Sequence, residues 1–507
     1  MSAALPDLSA VEARRLIGQG ELSPVELLDA CLARIEAIEP AVNALAATAF
    51  ERVRSEAKRA EQAVARGEAT GLLHGLPIGV KDLEETAGLL TTYGSPLYRD
   101  HVPAADNLFV ARLRAAGAIV AAKTNVPEMG AGANTRNAVW GATGNPFDTR
   151  LNAGGSSGGS AVALATGMLP LATGSDLGGS LRIPAALCGV VGFRASPGLV
   201  PSERRVLGWA PNWVSGPMGR SIADVRLQLA ALAGHDAADP LSYSARIDAF
   251  AAAPRIDPAT LRVGYTEDFG TCAIDPSIRV AFRDKIARLS RLVGHCEPIA
   301  LDMREAHRVF DVVRAQEFVA SLRETYERDP SSLGANTRAN YEMGSALTLA
   351  DVARADTQRT ALYRQFQAHF ARYDVIVSPV SPVTPFAWTT PHCEDIDGTR
   401  LENYYRWVAL TYIVTVLTNP SLSLPCGVDP AGMPFGLQMI GPMRGDARLL
   451  DIAQTFEAAF ARDPALARPV PDLARLRSAA VDGADALRSI VTDPPASRLY
   501  VTGLRRS

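Results

Sequence analysis

The chain has 507 residues and a formal net charge of −3, with acidic and basic side chains interspersed along it. Such a balance argues against a nucleic-acid face or a charged membrane-binding patch. Apolar residues supply 47% of the chain and aromatics 6%, the composition of an ordinary globular protein rather than a disordered, collagenous or disulfide-stapled one. The cysteines, Cys31, Cys188, Cys272, Cys296, Cys393 and Cys426, are scattered, with no C-x-x-C and no Cys/His spacing that suits zinc. They read as reduced and mostly buried, which predicts a cytoplasmic protein. Met1–Leu8 lacks the charged and apolar regions of a signal segment. The longest apolar candidate span, Val408–Leu417, falls short of the ~18 residues a membrane crossing needs.

The predicted elements run as follows. Ser9 with Glu12 forms a capping box that opens a short helix to about Gly18. Ser23, Pro24 and Glu26 open a second helix, with Leu27, Leu28, Cys31, Leu32, Ile35 and Ile38 as its apolar face. A charge-rich helix follows from about Ala49 to Ala65, then a buried strand, Ile78–Val80, ending at Lys81. Ala105–Ala116 is expected to be helical and Ala118–Ala122 a strand, followed by Lys123. Ser160–Met168 reads as a short buried helix. Beyond Arg194 the chain becomes a loop rich in Pro and Gly that carries Trp209 and Trp213. Leu261–Tyr265 is a strand and Pro276–Leu292 a helix, and two long helices follow, about Met303–Arg328 and Thr348–Arg372. Asp374–Ser378, Ser421–Pro425 and Phe435–Ile440 are the last strands, with a helix at Glu402–Leu417 between the first two. From about Asp472 the chain reads as a tail outside the core. Strands alternating with helices predict a mostly parallel sheet in an α/β fold.

The densest signal lies between Asn152 and Arg194. Two glycine-flanked serine clusters, Gly154-Gly155-Ser156-Ser157-Gly158-Gly159 and Asp176-Leu177-Gly178-Gly179-Ser180, bracket the buried helix. Glycine permits turns that a Cβ forbids, and it leaves amide N–H groups bare to converge on an anion. The first cluster alone also reads as a flexible linker or a phosphate cradle. A phosphate loop needs a Lys after its last Gly, where Ser160 stands, and no Lys occurs between Lys123 and Lys285. Apolar runs on both sides argue against a linker. Arg far outnumbers Lys, which is limited to Lys58, Lys81, Lys123 and Lys285. A Lys kept in an apolar strand suggests that a deprotonatable amine is wanted, which Arg cannot supply.

At these residues the chain resembles the amidase signature family, serine hydrolases that cleave amides with a Ser–Ser–Lys triad. The family pattern G-G-S-S-G-G-S, a short helix, and G-[ST]-D-x-G-G-S-[IL]-R-x-P-A is matched from Gly154 to Ala185, with Ser175 and Leu181 at the variable positions. The family's upstream Lys motif is Gly79-Val80-Lys81-Asp82, and the resemblance extends from about residue 5 to about 470. It implies one large α/β domain over 5–470, a central twisted mixed sheet with helices on both faces, and a C-terminal extension over 471–507.

The resemblance also implies roles. Ser180 is the expected nucleophile, Ser156 the proton bridge and Lys81 the base, with a cis peptide before Ser156. The backbone amides of Leu177, Gly178 and Gly179 are expected to face the oxyanion, each such donor lowering the barrier by about 3 kcal/mol. Neutral Lys81 at pH 7 requires a pKa well below the usual ~10.4; burial is the expected cause, with Arg182 a candidate helper. Ser157 is expected to be structural or a supporting hydrogen bonder, and Asp176 and Arg182 to pair and hold the turn. Lys123 is expected to pair with a carboxylate rather than act as a base, and His74 to lie in a loop. Substrate-lining candidates are Met129, Gly130, Trp209 and Trp213, together with Tyr93, Trp388 and the Tyr404–Tyr412 region. Trp209 and Trp213 read equally as packing. No metal or cofactor is expected. The expected partner is a small-molecule amide, an aryl amide or a carbamate, with neither nucleic acid nor membrane involved and a homodimer left open. The amidase-like subunit of a tRNA-dependent amidotransferase shares the motif and stands as the alternative. Asn403-Tyr404-Tyr405-Arg406-Trp407 resembles the free-standing bacterial amidases more than that subunit.

Overall fold

The computed structural model describes residues 4–251 and 256–482. Ser23 caps the helix Pro24–Val42 in a full capping box, its hydroxyl accepting from the Glu26 amide while the Glu26 carboxylate accepts from the Ser23 amide. The box at Ser9 is only half made. The Ser9 hydroxyl accepts from the Glu12 amide at 3.1 Å, but the Glu12 carboxylate is taken by Arg15 at 2.7 Å.

An 11-stranded sheet runs through the molecule. In chain order its strands are β1 (Leu45–Thr48), β2 (Pro77–Lys81), β3 (Ile119–Thr124), β4 (Leu171–Asp176), β5 (Val191–Arg194), β6 (Val214–Gly219), β7 (Arg262–Tyr265), β8 (His295–Pro298), β9 (Val375–Pro379), β10 (Ser421–Val428) and β11 (Pro434–Ile440). In space the order is β1-β3-β2-β4-β6-β5-β10-β11-β9-β7-β8. The sheet is mixed. Parallel pairs form two blocks, β3-β2-β4 and β9-β7-β8. The strands between the blocks, and β1 at the edge, pair antiparallel. Alternating strands and helices announce the parallel blocks. In the antiparallel centre one pair, β10 and β11, is a hairpin joined from Val428 to Pro434, a connection too short to cross over; the other pairs join strands farther apart in sequence.

Successive residues of a strand point to opposite faces, and here each face has its own core. Val120 and Leu171 join a core with the helices Ala10–Gln19, Leu108–Ala115 and Ile222–Leu232. Ile119, Ala121 and Ala172 join another with the helices Phe50–Ala65 and Gly158–Ala165. The sheet is thus covered on both faces, in a single α/β domain.

Three departures from expectation bear on the site. A helix at Ala335–Ser345 separates the long helices Glu305–Arg328 and Leu349–Gln367. Its polar sequence hid it, because what it buries is largely polar: Thr337, Asn340 and Tyr341. The segment expected as a helix at 402–417 begins as a short 3-10 turn, Arg406–Val408, and continues as the helix Ala409–Val416. The expected tail begins as a helix, Leu473–Asp482, that packs on Pro24–Val42 and sinks Leu476 into the core. Residues 483–507 lie outside the described part of the chain. Among the described residues no helix is long and apolar enough to cross a membrane. Cys31, Cys188, Cys272 and Cys426 are buried free thiols; Cys296 and Cys393 are free and partly exposed.

Candidate active site

Open α/β sheets hold their ligands beyond the carboxyl ends of parallel strands, and the sequence motifs converge there. β2 ends at Lys81 and its neighbour β4 ends at Asp176. The first serine cluster precedes the helix Gly158–Ala165, and Ser160 ties that helix to β4 by donating to the Thr173 carbonyl at 2.7 Å. The Gly155–Ser156 peptide is cis. Lys81 is fully buried. Its Nζ lies 2.7 Å from Ser156 Oγ and 3.0 Å from Ser175 Oγ, with no carboxylate in ion-pair contact among the described residues. Burial lowers the Lys81 amine to about 7, while Glu84 and Asp176 pull it upward. Arg182 has no part in this shift, since its guanidinium is spent on Asp176. Ser156 and Ser180 line one cavity of about 250 Å³.

The turn that carries Ser180 is built around Asp176. Its carboxylate accepts from the amides of Gly179 at 2.9 Å and Leu181 at 3.1 Å. Arg182 grips it with Nη2 at 2.9 Å and Nε at 3.0 Å, and Arg194 donates to the Asp176 carbonyl at 2.7 Å. Burial raises the Asp176 carboxyl, but Arg182 and Arg194 more than offset this and hold it at about 2. Arg182 continues outward to the Thr411 carbonyl at 2.9 Å and Gln438 Oε1 at 2.8 Å. Gly179 has φ +127, and a Cβ there would come within 2.1 Å of Thr411 Oγ1, so only glycine fits. Thr411 in turn donates to the Gly178 carbonyl at 2.6 Å.

One expectation is corrected by this geometry. The Gly179 amide donates to Asp176 and is not free for an oxyanion. Among the described residues the amides of Leu177 and Gly178 make no hydrogen bond, which leaves them as the available donors. Among the described residues the Ser157 hydroxyl is buried without a partner, and Ser157 bonds through its backbone, its amide donating to the Ser180 carbonyl at 3.3 Å.

A family model described as amidase matches residues 26–450. The chain belongs to the amidase family. Among relatives, an acylamidase of Rhodococcus erythropolis is 33% identical over 455 residues, covering 89% of this chain and 95% of the relative. A glutamyl-tRNA(Gln) amidotransferase subunit from a Picosynechococcus species is also 33% identical, over 472 residues, covering 87% and 96%. Among solved structures, a bacterial aryl acylamidase superposes with a TM-score of 0.84 at 25% identity, covering 94% of this chain and 98% of that one.

In this member of the amidase family the cavity wall draws on both expected and unexpected residues. Met129, Gly130, Trp213 and Tyr93 line it. Gly130 has φ +70, and a Cβ there would stand 3.4 Å from Ser156 Oγ. Trp209 does not reach the cavity: it is 78% exposed. The loop is held through Arg205, whose guanidinium pairs with Asp239 at 2.7 Å and also donates to the Trp213 carbonyl, and this leaves Trp209 outside. Trp388 is buried against Ala142, away from the cavity. Tyr404 and Tyr405 line a smaller cleft that shares Gly130, Ser180 and Arg314 with the cavity, and Tyr412 stacks on Phe310 at 4.2 Å. Lys123 lies 3.8 Å from Asp82 Oδ1, as expected of a pairing lysine, and His74 sits in a turn where its Nε2 meets the Ala60 carbonyl.

Sequence reading missed the wall formed by the helix Glu305–Arg328. Arg314, Glu317, Phe318, Ser321 and Leu322 all face the cavity. Their i, i+3, i+4, i+7, i+8 spacing is one helical face, and its mixed polarity was the available signal. Among the described residues no group of three His, Cys, Asp or Glu side chains is placed to hold a metal ion.

Proposed function

We propose that this chain hydrolyses the C–N bond of a small carboxylic amide through an acyl-enzyme on Ser180, with aryl amides and carbamates in its range. The observation that carries the reading is a fully buried amine, Lys81 Nζ, 2.7 Å from Ser156 Oγ at the base of the cavity that Ser180 also lines. With its amine held at about 7, Lys81 has a large neutral fraction at physiological pH. Neutral Lys81 accepts the Ser156 proton as Ser156 takes that of Ser180, and Ser180 Oγ attacks the carbonyl carbon. The developing oxyanion is received by the amides of Leu177 and Gly178. The proton returns by the same path to the leaving nitrogen, and water then releases the acid. Leu83, Met129, Leu177, Phe318 and Trp213 give the cavity its apolar lining, which suits an aryl or bulky substituent and supports the likeness to aryl acylamidases.

The likeness to the amidotransferase subunit supports a second reading, in which the same site releases ammonia from glutamine within a larger assembly. One experiment separates them. The purified chain, treated with EDTA and free of tRNA and ATP, is offered an aryl amide and glutamine. Turnover of the aryl amide by the chain alone, blocked by a sulfonyl fluoride that mass spectrometry finds on Ser180, is the expected result. Loss of turnover on chelation, or turnover only when partner subunits and ATP are added, overturns it.

A further inference from the structure

The amide-binding cavity has a polar wall that the Ser–Ser–Lys reading leaves without a task. Glu317 lines the cavity one helical turn beyond Arg314. Among the described residues its Oε1 is buried with no hydrogen-bond partner. Asn212, only 2% exposed, lies beside the Glu317 carboxyl, and among the described residues its own Oδ1 is buried without a partner. Both of these oxygens accept, while Arg205 Nε and Arg359 Nη2 are donors that are likewise buried without partners among the described residues. Burial raises the Glu317 carboxyl to about 7, and Asn212, Arg205 and Arg359 draw it down.

The charged groups around Glu317 do not satisfy it. Arg205 is held by Asp239 at 2.7 Å and Arg204 by Glu85 at 3.2 Å. Arg359 donates to the Val416 carbonyl at 2.9 Å. Arg314 donates to Asn340 Oδ1 at 3.0 Å and to the Tyr404 hydroxyl, and its guanidinium lies 5.0 Å from the ring centres of Phe318 and Tyr405. Glu84 accepts from Ser215 at 2.6 Å. Buried acceptors are normally paired, and leaving one unpaired is costly. The unpaired Glu317 oxygen on the cavity wall therefore marks a place where a donor is brought in.

We infer that Glu317 is a specificity-determining residue that receives an N–H donor, an amino or ammonium group, carried by the substrate away from the scissile bond. The inference rests on the reading of this cavity as the amide site. A substrate nitrogen with a hydrogen to donate can serve the Glu317 carboxyl, which lines the cavity. A substrate carboxylate would meet a like charge in the ionised form of Glu317, and a hydrocarbon end would leave the Glu317 acceptor buried and unpaired.

The test compares the para-nitroanilides of γ-aminobutyric acid and valeric acid, which differ by an amino group in place of a methyl. Binding is measured by calorimetry on the full chain carrying Ser180→Ala, so that no turnover is needed. The aminobutyryl compound is expected to bind about tenfold more tightly, and Glu317→Gln in that background should bring the ratio to about one. Glu317→Leu, which fills the wall with hydrocarbon, should reverse it. A ratio near one with Glu317 present overturns the inference, and so does a ratio unchanged by either substitution; a donor site satisfied by water alone gives the first of these results. Hydrolysis by the parent chain is read separately. If the binding ratio holds but neither anilide is cleaved, the amidase reading falls while the role of Glu317 stands.

Discussion

Lys81 is the last residue of β2 and Lys123 the last but one of the adjacent parallel strand β3, and both are fully buried. In the register Lys81 faces Thr124 while Lys123 faces Val80, so the two side chains leave opposite faces of the sheet. Their partners differ in kind. Lys81 meets the hydroxyls of Ser156 and Ser175. Lys123 lies 3.8 Å from the Asp82 carboxylate, donates to Thr86 and Thr91, and reaches the Glu84 carbonyl. Burial lowers both amines, Lys81 to about 7 and Lys123 to about 8, because Asp82 and Glu84 restore part of what burial takes from Lys123. Burial alone does not make a base. An amine with hydroxyl partners can lose its proton to useful effect, while an amine set against a carboxylate is tied into an ion pair.

The largest effect expected from this contrast is on turnover. Lys81→Met and Lys81→Arg should each lower kcat/KM at least about 10³-fold, within the range for a lost proton carrier, and Ser180→Ala should do as much or more. Arg keeps charge but cannot be deprotonated, so an active Lys81→Arg enzyme would turn Lys81 into a fixed cation and erase the contrast.

The companion change should do the reverse. Lys123→Met leaves Asp82 buried without its cation, and denaturant titration should show a loss of about 3 kcal/mol, the low end for breaking a buried pair. The protein that remains folded should keep kcat/KM within about tenfold. Lys81→Met has no ion pair to break and should lose far less stability. If Lys123→Met is stable but inactive, the two lysines have been assigned the wrong way round.

The pH profile sharpens the same point. The base works when neutral, so kcat/KM should fall about tenfold for each unit below 7, the value to which Lys81 is lowered, and level off above it. A flat profile through that range removes Lys81 from proton transfer.

The smallest effect separates the two tryptophans. Trp213→Ala should raise KM for an aryl amide by about tenfold, the scale of one lost aromatic contact. Trp209→Ala should leave kinetics unchanged, because that ring is 78% exposed and off the cavity. Equal effects at both positions would mean that the loop closes over substrate as a unit.

Lys81, Ser156, Ser180 and the Asp176–Arg182 pair were legible in the sequence because each stands in a short motif with fixed spacing, and the structure brings them together. What local reading could not supply is competition among partners. Nothing in Leu177-Gly178-Gly179 reveals that one of the three amides is already spent on Asp176. The paired sheet order and the antiparallel centre depend on contacts hundreds of residues apart. Arg314 and Glu317 lie in a charge-rich helix whose ordinary reading is a solvated face, and only packing against the loop after β5 turns that face inward. Trp209 and Trp213 are four positions apart in one loop, and the Arg205–Asp239 pair that helps to hold that loop is not visible in the motif.

The contacts from Thr411 to Gly178 and from Arg182 to Gln438 have a consequence for how the protein matures. A chain emerging from the ribosome carries Lys81, Ser156 and Ser180 long before the helix Ala409–Val416 and β11 have been made. Until then the turn beneath Ser180 lacks its outer anchor, and the nascent chain holds the proposed reactive groups without the frame that aligns them. Hydrolysis would thus switch on late, when the last strands of the sheet close, and fragments ending before residue 409 would be silent even with all three groups present.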